Sequence, residues 1–157
     1  NAPRGLAAAV QLTMSIDMGS LTDLRQAFHD APDATLDLLV GEHRAELVGP
    51  WYIRKSAPGF LAATGMADWC GKRFGAPVDE VLHGCNLARR NGELQDSIPL
   101  TATLEGGDLV VHYPTDARWP WRHVTDRLRP LNETTLIGLT YGLPLTAALP
   151  FLLHRDD

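Results

Sequence analysis

The sequence predicts a mainly β protein, a single antiparallel β-barrel with an N-terminal helical segment. After Gly41 the chain consists of short apolar or alternating runs divided by turn residues, which is typical of antiparallel strands. The runs recur at intervals of about 8 to 12 residues, as they do in sandwiches and barrels. A length of 157 residues without a long linker indicates one domain. We expect residues 1–40 to be helical and to pack on a barrel formed by residues 41–157.

The clearest helix is predicted in SLTDLRQAFH, from Ser20 to His29. Ser20 is a candidate N-cap, and three apolar residues follow at helical spacing, namely Leu21, Leu24 and Phe28. Pro32 ends this pattern. A second, short helical or turn segment is expected in DATLDLLVG, which ends at Gly41.

Turn residues divide the remaining chain into strands. The dipeptide Asn91-Gly92 accepts two positive φ angles and predicts a tight hairpin. Two alternating runs flank the turn Glu105–Asp108, and a turn over Pro130–Glu133 separates a charged strand from an apolar one. A last strand is predicted in LPFLLHRD. We therefore expect an antiparallel barrel from about Leu47 to Arg155, with the N-terminal helix packed against it.

Composition excludes several classes of protein. The 14 Lys and Arg against 19 Asp and Glu give a formal charge of -5, and no basic stripe is interleaved with aromatic residues, so no nucleic-acid partner is expected. No run of about 18 apolar residues predicts a membrane span. The apolar GLAAAVQLTM near the N-terminus lacks a preceding cationic cluster, and we interpret it as an ordered or fraying flank. Cys70 and Cys85 are too few for a disulfide framework, which favours a cytoplasmic location, with one bridge between them as the alternative.

Neither a cofactor nor a metal is expected. The chain has no nucleophile-elbow, phosphate-loop or dinucleotide-binding motif. Its six histidines are scattered and show no ligand spacing.

Three segments resemble a small bacterial protein family. DWCGKRF, RHVTDRLRPLNETTLIGLTY and PFLLHR are similar to the family named for its G-x-W-x-G-K motif, whose C-terminal half is catalogued as a domain of unknown function. The matching positions are Trp69, Gly71, Lys72, Phe74, Asp126, Leu128, Arg129, Thr135, Gly138, Phe151, Leu153 and Arg155. In the first motif Gly41 is kept, but His43 stands where the family has tryptophan. The resemblance covers roughly Asp37 to Arg155 and implies a calycin-like, lipocalin-like barrel that holds apolar ligands.

Three residues are candidate catalytic groups: Asp126, Tyr113 and Lys72. In RHVTDRLR, alternation places Asp126 on one face with Val124 and Leu128. If that face is inward, desolvation would raise the pKa of Asp126 toward the acid-base range. The alternative is a structural carboxylate saturated by an arginine or by backbone amides. Likewise, Lys72 would contact a ligand or would cover an aromatic ring as part of the scaffold.

A pocket lined by apolar and aromatic residues is the predicted binding site. The loop HYPTDARWPWRH would place rings at its mouth, or alternatively would seal the core. The predicted ligand-contacting residues are Trp69, Trp119, Trp121, Val124, Leu128, Ile137 and Leu139.

The expected function is a cofactor-independent cyclase or isomerase of a biosynthetic reaction, acting on a hydrophobic, polyketide- or lipid-like substrate inside the barrel. Holding both reacting ends of one molecule together lowers the barrier without metal or nucleotide. The alternative is a non-catalytic carrier or sensor of a hydrophobic small molecule. A third, weaker interpretation is a structural partner protein whose Trp/Pro loop docks on another chain. The oligomeric state is left open, with a homodimer among the options.

Overall fold

The computed structural model describes residues 16–144 and 146–156, and its centre is a closed barrel of eight antiparallel strands. Each strand pairs with the next along the chain, and β1 pairs with β8 to close the ring. The strands are β1 (Gly41–Leu47), β2 (Trp69–Phe74), β3 (Leu82–Arg90), β4 (Glu93–Glu105), β5 (Asp108–His112), β6 (Thr125–Pro130), β7 (Thr135–Tyr141) and β8 (Leu149–His154). The predicted calycin-like β-barrel is confirmed. The segment GLAAAVQLTM lies outside the described residues.

The predicted turns connect the strands as expected. Asn91 and Gly92, with φ angles of 53° and 77°, join β3 to β4. Two further glycines at positive φ, Gly106 and Gly107, join β4 to β5. The sheet begins at Gly41, six residues earlier than Leu47, because a short 3-10 helix at Leu36–Leu39 delivers the chain directly into β1.

Helix α1 (Leu21–Asp30) packs on the outside of the barrel. The Ser20 hydroxyl accepts a hydrogen bond from the backbone N–H of Asp23 at 3.2 Å and caps the helix. Its apolar stripe, Leu24, Ala27 and Phe28, forms a buried cluster with Ile137, Leu139 and Leu152 of the barrel wall. The predicted packing of this helix is therefore confirmed. The cluster forms a second core outside the barrel lumen.

A second helix, α2 (Trp51–Ala63), interrupts the sheet and was not predicted. The sequence lacks a helix start signal here, since Pro50 at the N-cap offers no side-chain cap, and Pro58 and Gly59 indicate a turn. None of the residues of α2 is buried, so no buried apolar stripe marks it either. The expectation of sheet alone after Gly41 is wrong in this segment. No helix among the described residues has the length and apolar character needed to cross a lipid bilayer.

The two ends of the barrel differ. We call the end where β1 ends and β2 begins the open end, and the opposite end, where β2 ends and β3 begins, the closed end. The closed half of the lumen is filled by fully buried side chains, among them Leu39 from the 3-10 helix, Leu82, Leu109 and Leu128. The cysteines Cys70 and Cys85 are both free thiols, and the cytoplasmic location stays a prediction.

His43 is buried at the closed end, at the position where the resembled family has tryptophan. Its Nε2 lies 2.9 Å from the carbonyl oxygen of Leu39, which can only accept, so Nε2 donates, and in the neutral ring Nδ1 then carries no proton. Nδ1 has no hydrogen-bond partner, and the ring borders a void of about 10 Å³ that Arg155 also lines. Burial lowers the pKa of His43 below its ordinary value, and the charge of Arg155 lowers it further.

We predict that His43 makes the fold less stable in mild acid. Because its pKa is lowered in the folded state, the unfolded state binds the proton first as the pH falls below about 6.5, and stability is lost. The contribution is at most about 1.4 kcal/mol for each pH unit. Urea unfolding of the wild type and of His43→Gln between pH 7.5 and 5 measures it, and the variant should lose less stability. Replacement of the exposed His83 by Gln is the control; equal pH dependence in wild type and His43→Gln would contradict the prediction.

Candidate functional site

A cavity of about 530 Å³ occupies the open half of the barrel beneath α2. This volume lies within the range of about 300 to 1,000 Å³ typical of small-molecule sites. Apolar side chains form most of its wall, among them Leu47, Ile53, Phe60, Leu61, Met66, Leu143, Leu149 and Phe151. Because the cavity lies directly under α2, the inner face of the helix is only partly packed, through Leu61 on the barrel core and Phe60 on the Trp121 ring. This arrangement explains why none of its residues is buried.

An ion pair forms the polar floor of the cavity. Lys72 of β2 and Asp126 of β6 approach to 3.2 Å between Nζ and Oδ2, and their side chains are only 1% and 3% exposed. In the ring of eight strands, β2 and β6 stand opposite each other, so the pair spans the lumen. The Thr140 hydroxyl on β7 donates to the other carboxylate oxygen of Asp126 at 2.8 Å. Both buried charges therefore have the partners that burial requires.

Asn86 of β3 extends this network to Tyr113 and has only one allowed orientation. Its side-chain oxygen accepts from the Lys72 ammonium at 2.7 Å and from the indole N–H of Trp69 at 3.1 Å. Both of those groups can only donate, so the amide nitrogen of Asn86 must be the donor that faces the Tyr113 oxygen at 3.3 Å. Tyr113 consequently receives a hydrogen bond and keeps its own proton to donate.

Two hydrogen-bond donors are thus left at the cavity floor. Among the described residues no acceptor takes the hydroxyl proton of Tyr113. The Lys72 ammonium has three N–H groups and, within the described part of the chain, two polar partners, Asp126 and Asn86, so its third N–H is left without an acceptor. Lys72 and Tyr113 both line the cavity.

The surroundings of Lys72 shift the pKa values of the network. Burial lowers the pKa of Lys72, while the Asp126 carboxylate opposes that shift and favours the ammonium form. Burial and then the charge of Asp126 raise the pKa of Tyr113 well above its ordinary value, so its hydroxyl stays protonated. The Lys72 ammonium also lies 5.5 Å from the ring centroids of both Trp69 and Tyr113.

Trp121 ties the aromatic loop to α2. Its ring stacks on Tyr113 at 5.4 Å between centroids, and its indole N–H donates to the carbonyl oxygen of Thr64 at 2.7 Å, just after the helix. The guanidinium of Arg118 donates to the carbonyl oxygen of Ala63 at 2.9 Å. The loop therefore holds the C-terminal end of α2 in place over the cavity.

The structure brings together some of the sequence-predicted site residues and separates others. Lys72, Tyr113, Asp126, Trp69 and Trp121 all line the cavity. Asp126 points inward, as alternation in β6 predicts. The scaffold role considered for Lys72 is also present, because its ammonium lies over the Trp69 ring. Next to it, Gly71 passes so close to β1 that a side chain there would collide with the His43 carbonyl oxygen.

The other five residues predicted to contact a ligand do not line the cavity. Val124 and Leu128 are buried in the inner core and are not part of the cavity wall. Ile137 and Leu139 face outward against α1, which corrects their expected place in the pocket. Trp119 is 51% exposed and does not line the cavity.

Sequence reasoning missed Asn86 and Thr140, which complete the polar floor. Asn86 is fully buried within LHGCNLARR, and a buried amide in an apolar strand is the signal that identifies it in retrospect. Among residues 16–144 and 146–156, no group of three or more His, Cys, Asp or Glu side chains is placed to hold a metal ion.

Comparison with known proteins supports the fold alone. No protein-family model matches the chain, and no curated protein matches it. The chain is similar to the crystal structure of a protein from Thermomonospora curvata, with a TM-score of 0.65 and 16% sequence identity, over 99% of this chain and 100% of that chain. The barrel architecture is thus shared over the whole length. The resemblance to the G-x-W-x-G-K family stays a prediction.

We predict that loss of one partner of the floor ion pair is costly. Lys72→Met leaves the Asp126 carboxylate buried without its cation and should lower the free energy of unfolding by about 3 to 5 kcal/mol. The double variant Lys72→Met/Asp126→Asn removes both charges and should regain most of that loss. Denaturant unfolding measures both variants. The control is Arg73→Met, which removes a cation on the outer face of the same strand and should lower the free energy of unfolding by about 0 to 1 kcal/mol. A loss for Lys72→Met as small as that for Arg73→Met would contradict the prediction.

Proposed function

We propose that the protein binds a hydrophobic small molecule in the barrel cavity and isomerises or cyclises it without a cofactor. The observation that carries this proposal is the buried Lys72–Asp126 pair at the polar end of an otherwise apolar cavity. A cation and a carboxylate 3.2 Å apart offer an acid and a base to the same bound molecule. Ligand binding would displace water from the cavity and strengthen the electrostatic interactions there.

The free donors support a substrate with an acceptor oxygen at its polar end. Lys72 and Tyr113 each have a hydrogen left to donate, and both line the cavity. A carbonyl oxygen placed between them would accept two hydrogen bonds. Such bonds strengthen as negative charge develops on the oxygen, which is how enzymes stabilise enolate-like transition states.

Asp126 would supply the base. Its carboxylate would take a proton from the carbon next to the carbonyl, and the C–H electron pair would form the enolate, whose oxygen Lys72 and Tyr113 would hold. Return of that proton to another carbon completes an isomerisation. In a cyclisation, the enolate carbon bonds to an electrophilic carbon of the same molecule, and the proton goes to the group that accepts its electrons. Protons and electrons balance in both reactions, so no oxidant or reductant is needed.

The second candidate is a carrier of the same hydrophobic molecule. One observation favours it: both oxygens of Asp126 already have partners, Lys72 and Thr140, so the carboxylate is satisfied without a substrate. A carrier needs only the apolar wall and the two donors. Binding followed by turnover separates the two functions.

We predict that Asp126→Asn separates binding from turnover. An apolar ketone should quench the fluorescence of Trp69 and Trp121, which line the cavity. A panel of β,γ-unsaturated ketones, followed by the ultraviolet absorbance of the conjugated product, measures isomerisation. Asp126→Asn should keep the quenching and lower turnover by about 10²-fold or more, because a positioned base is lost. Because Asp126→Asn leaves the Lys72 ammonium buried without its carboxylate, the variant should also lose about 3 to 5 kcal/mol of stability, and circular dichroism and thermal melting check that it is still folded under the assay conditions.

The matched control is Asp96→Asn, since Asp96 is an exposed carboxylate on the outer surface, paired with Arg73. This variant should bind and turn over ketones as the wild type does. Ligand binding with no turnover of any ketone would favour the carrier. If no apolar compound quenches the tryptophans or raises the melting temperature, both functions are contradicted.

A further inference from the structure

The exposed aromatic side chains are gathered at one end of the barrel. Among the described residues, the exposed Trp, Tyr and Phe side chains all lie around the open end; they are Trp51, Tyr52, Phe60, Trp119 and Tyr141. Trp51 and Trp119 are 67% and 51% exposed. The large exposed side chains toward the closed end, Val78 and Leu104, are aliphatic. Tryptophan and tyrosine are the residues that favour the boundary between a lipid bilayer and water, because their rings are apolar and carry one polar group.

Charge is separated along the same axis. The segments at the open end are residues 16–25, which hydrogen-bond to Gly49 and Ala148, and residues 48–68, 89–93, 113–124 and 142–148; together they carry seven cations against five carboxylates. Arg25 is half-buried and binds the Ala148 carbonyl oxygen, and the other six cations are exposed, namely Arg54, Lys55, Arg89, Arg90, Arg118 and Arg122. The rest of the full sequence has seven cations against fourteen carboxylates. A protein of net charge -5 thus has a small excess of cations at its open end and its excess of carboxylates elsewhere.

The two tryptophans flank helix α2. Trp51 begins the helix, and Trp119 lies beside its last turn because the adjacent Arg118 binds the Ala63 carbonyl oxygen. A helix of 13 residues is about 20 Å long, so the two rings are separate anchors. Lys55 lies one turn from Trp51 on the same helix and is exposed. The helix therefore combines aromatic and basic groups in the way of helices that lie at a bilayer surface.

We propose that the open end docks on an anionic lipid bilayer, with Trp51 and Trp119 at the headgroup level and the surrounding cations against the lipid phosphates. The acidic remainder of the protein would then face away from the membrane, which fixes the orientation of docking. In this orientation the cavity opens toward the bilayer, where a hydrophobic ligand is concentrated. The docking goes beyond the proposed function and does not depend on turnover or on ligand binding.

Co-sedimentation of the ligand-free full chain with vesicles tests the docking. We expect binding to phosphatidylcholine vesicles containing about one third phosphatidylserine, with a blue shift of tryptophan emission, and much weaker binding to phosphatidylcholine alone. Raising the salt concentration to about 0.5 M should weaken the binding, because it shortens the screening length to a few ångströms.

Two pairs of variants identify the face. Lys55→Glu/Arg122→Glu and Trp51→Ser/Trp119→Ser should each lower vesicle affinity by about tenfold or more. The matched controls are Arg44→Glu, an exposed cation on β1, and Val78→Ser/Leu104→Ser toward the closed end; these should bind as the wild type does. None of the substituted residues lines the cavity, so the ketone affinity obtained from quenching of Trp69 and Trp121 without vesicles should be unchanged.

The outcomes are distinct from those of the proposed function. Absence of binding to anionic vesicles, or binding that the controls weaken as much as the open-end variants do, would overturn the docking even if ketones still quench the tryptophans. If vesicles are not bound and the open-end variants instead change the oligomeric state in size-exclusion chromatography, the face contacts protein and the docking is wrong. Vesicle binding that the open-end variants abolish would support it even where no ketone binds.

Discussion

The constraint on which the rest of the structure depends is the need to satisfy two opposite charges inside an apolar lumen. Desolvation makes the Lys72–Asp126 pair expensive, and mutual attraction offsets that cost only when further hydrogen bonds complete the site. Asn86 and Thr140 supply those bonds. The network therefore joins side chains from β2, β3, β6 and β7, and a one-residue slip of any of these strands would turn its contribution outward. The network and the strand register support each other.

This network also divides the lumen into two unlike halves. Below it, close packing of aliphatic and aromatic side chains gives the barrel its stability. Above it, the space is left open and is bounded by α2, which buries none of its residues. The helix is held mainly at its ends, by Arg54 to the Gly49 carbonyl on one side and by Arg118 and Trp121 on the other. Weakly packed segments open at low free-energy cost, so ligands would enter past α2 without disturbing the sheet.

Sequence patterns predicted the features of the barrel that depend on short stretches of chain. Hairpins follow from residues such as Asn91 and Gly92 that accept positive φ, and the inward position of Asp126 follows from period-two alternation. Alternation gave no guide for Ile137, because β7 is buried on both faces and both sets of positions are apolar. Helix α2 escaped prediction because it depends on attachments at its ends and contains Pro58. The contact between Lys72 and Asp126 could not be predicted from local patterns either, because β2 and β6 are distant in sequence and face each other only when the barrel closes.

The packing of α1 on the outer wall has a consequence for how the cavity can change over evolutionary time. Leu24 and Phe28 pack on the outer face of β7 and β8, so this part of the wall is stabilised mainly by a core outside the lumen. Substitutions around the cavity, at positions such as Leu143 or Leu149, would therefore alter the shape of the binding space while much of the stabilising packing stays intact. Such a scaffold tolerates divergence at its inner surface, and descendants of one barrel can acquire different ligands without first acquiring a new source of stability.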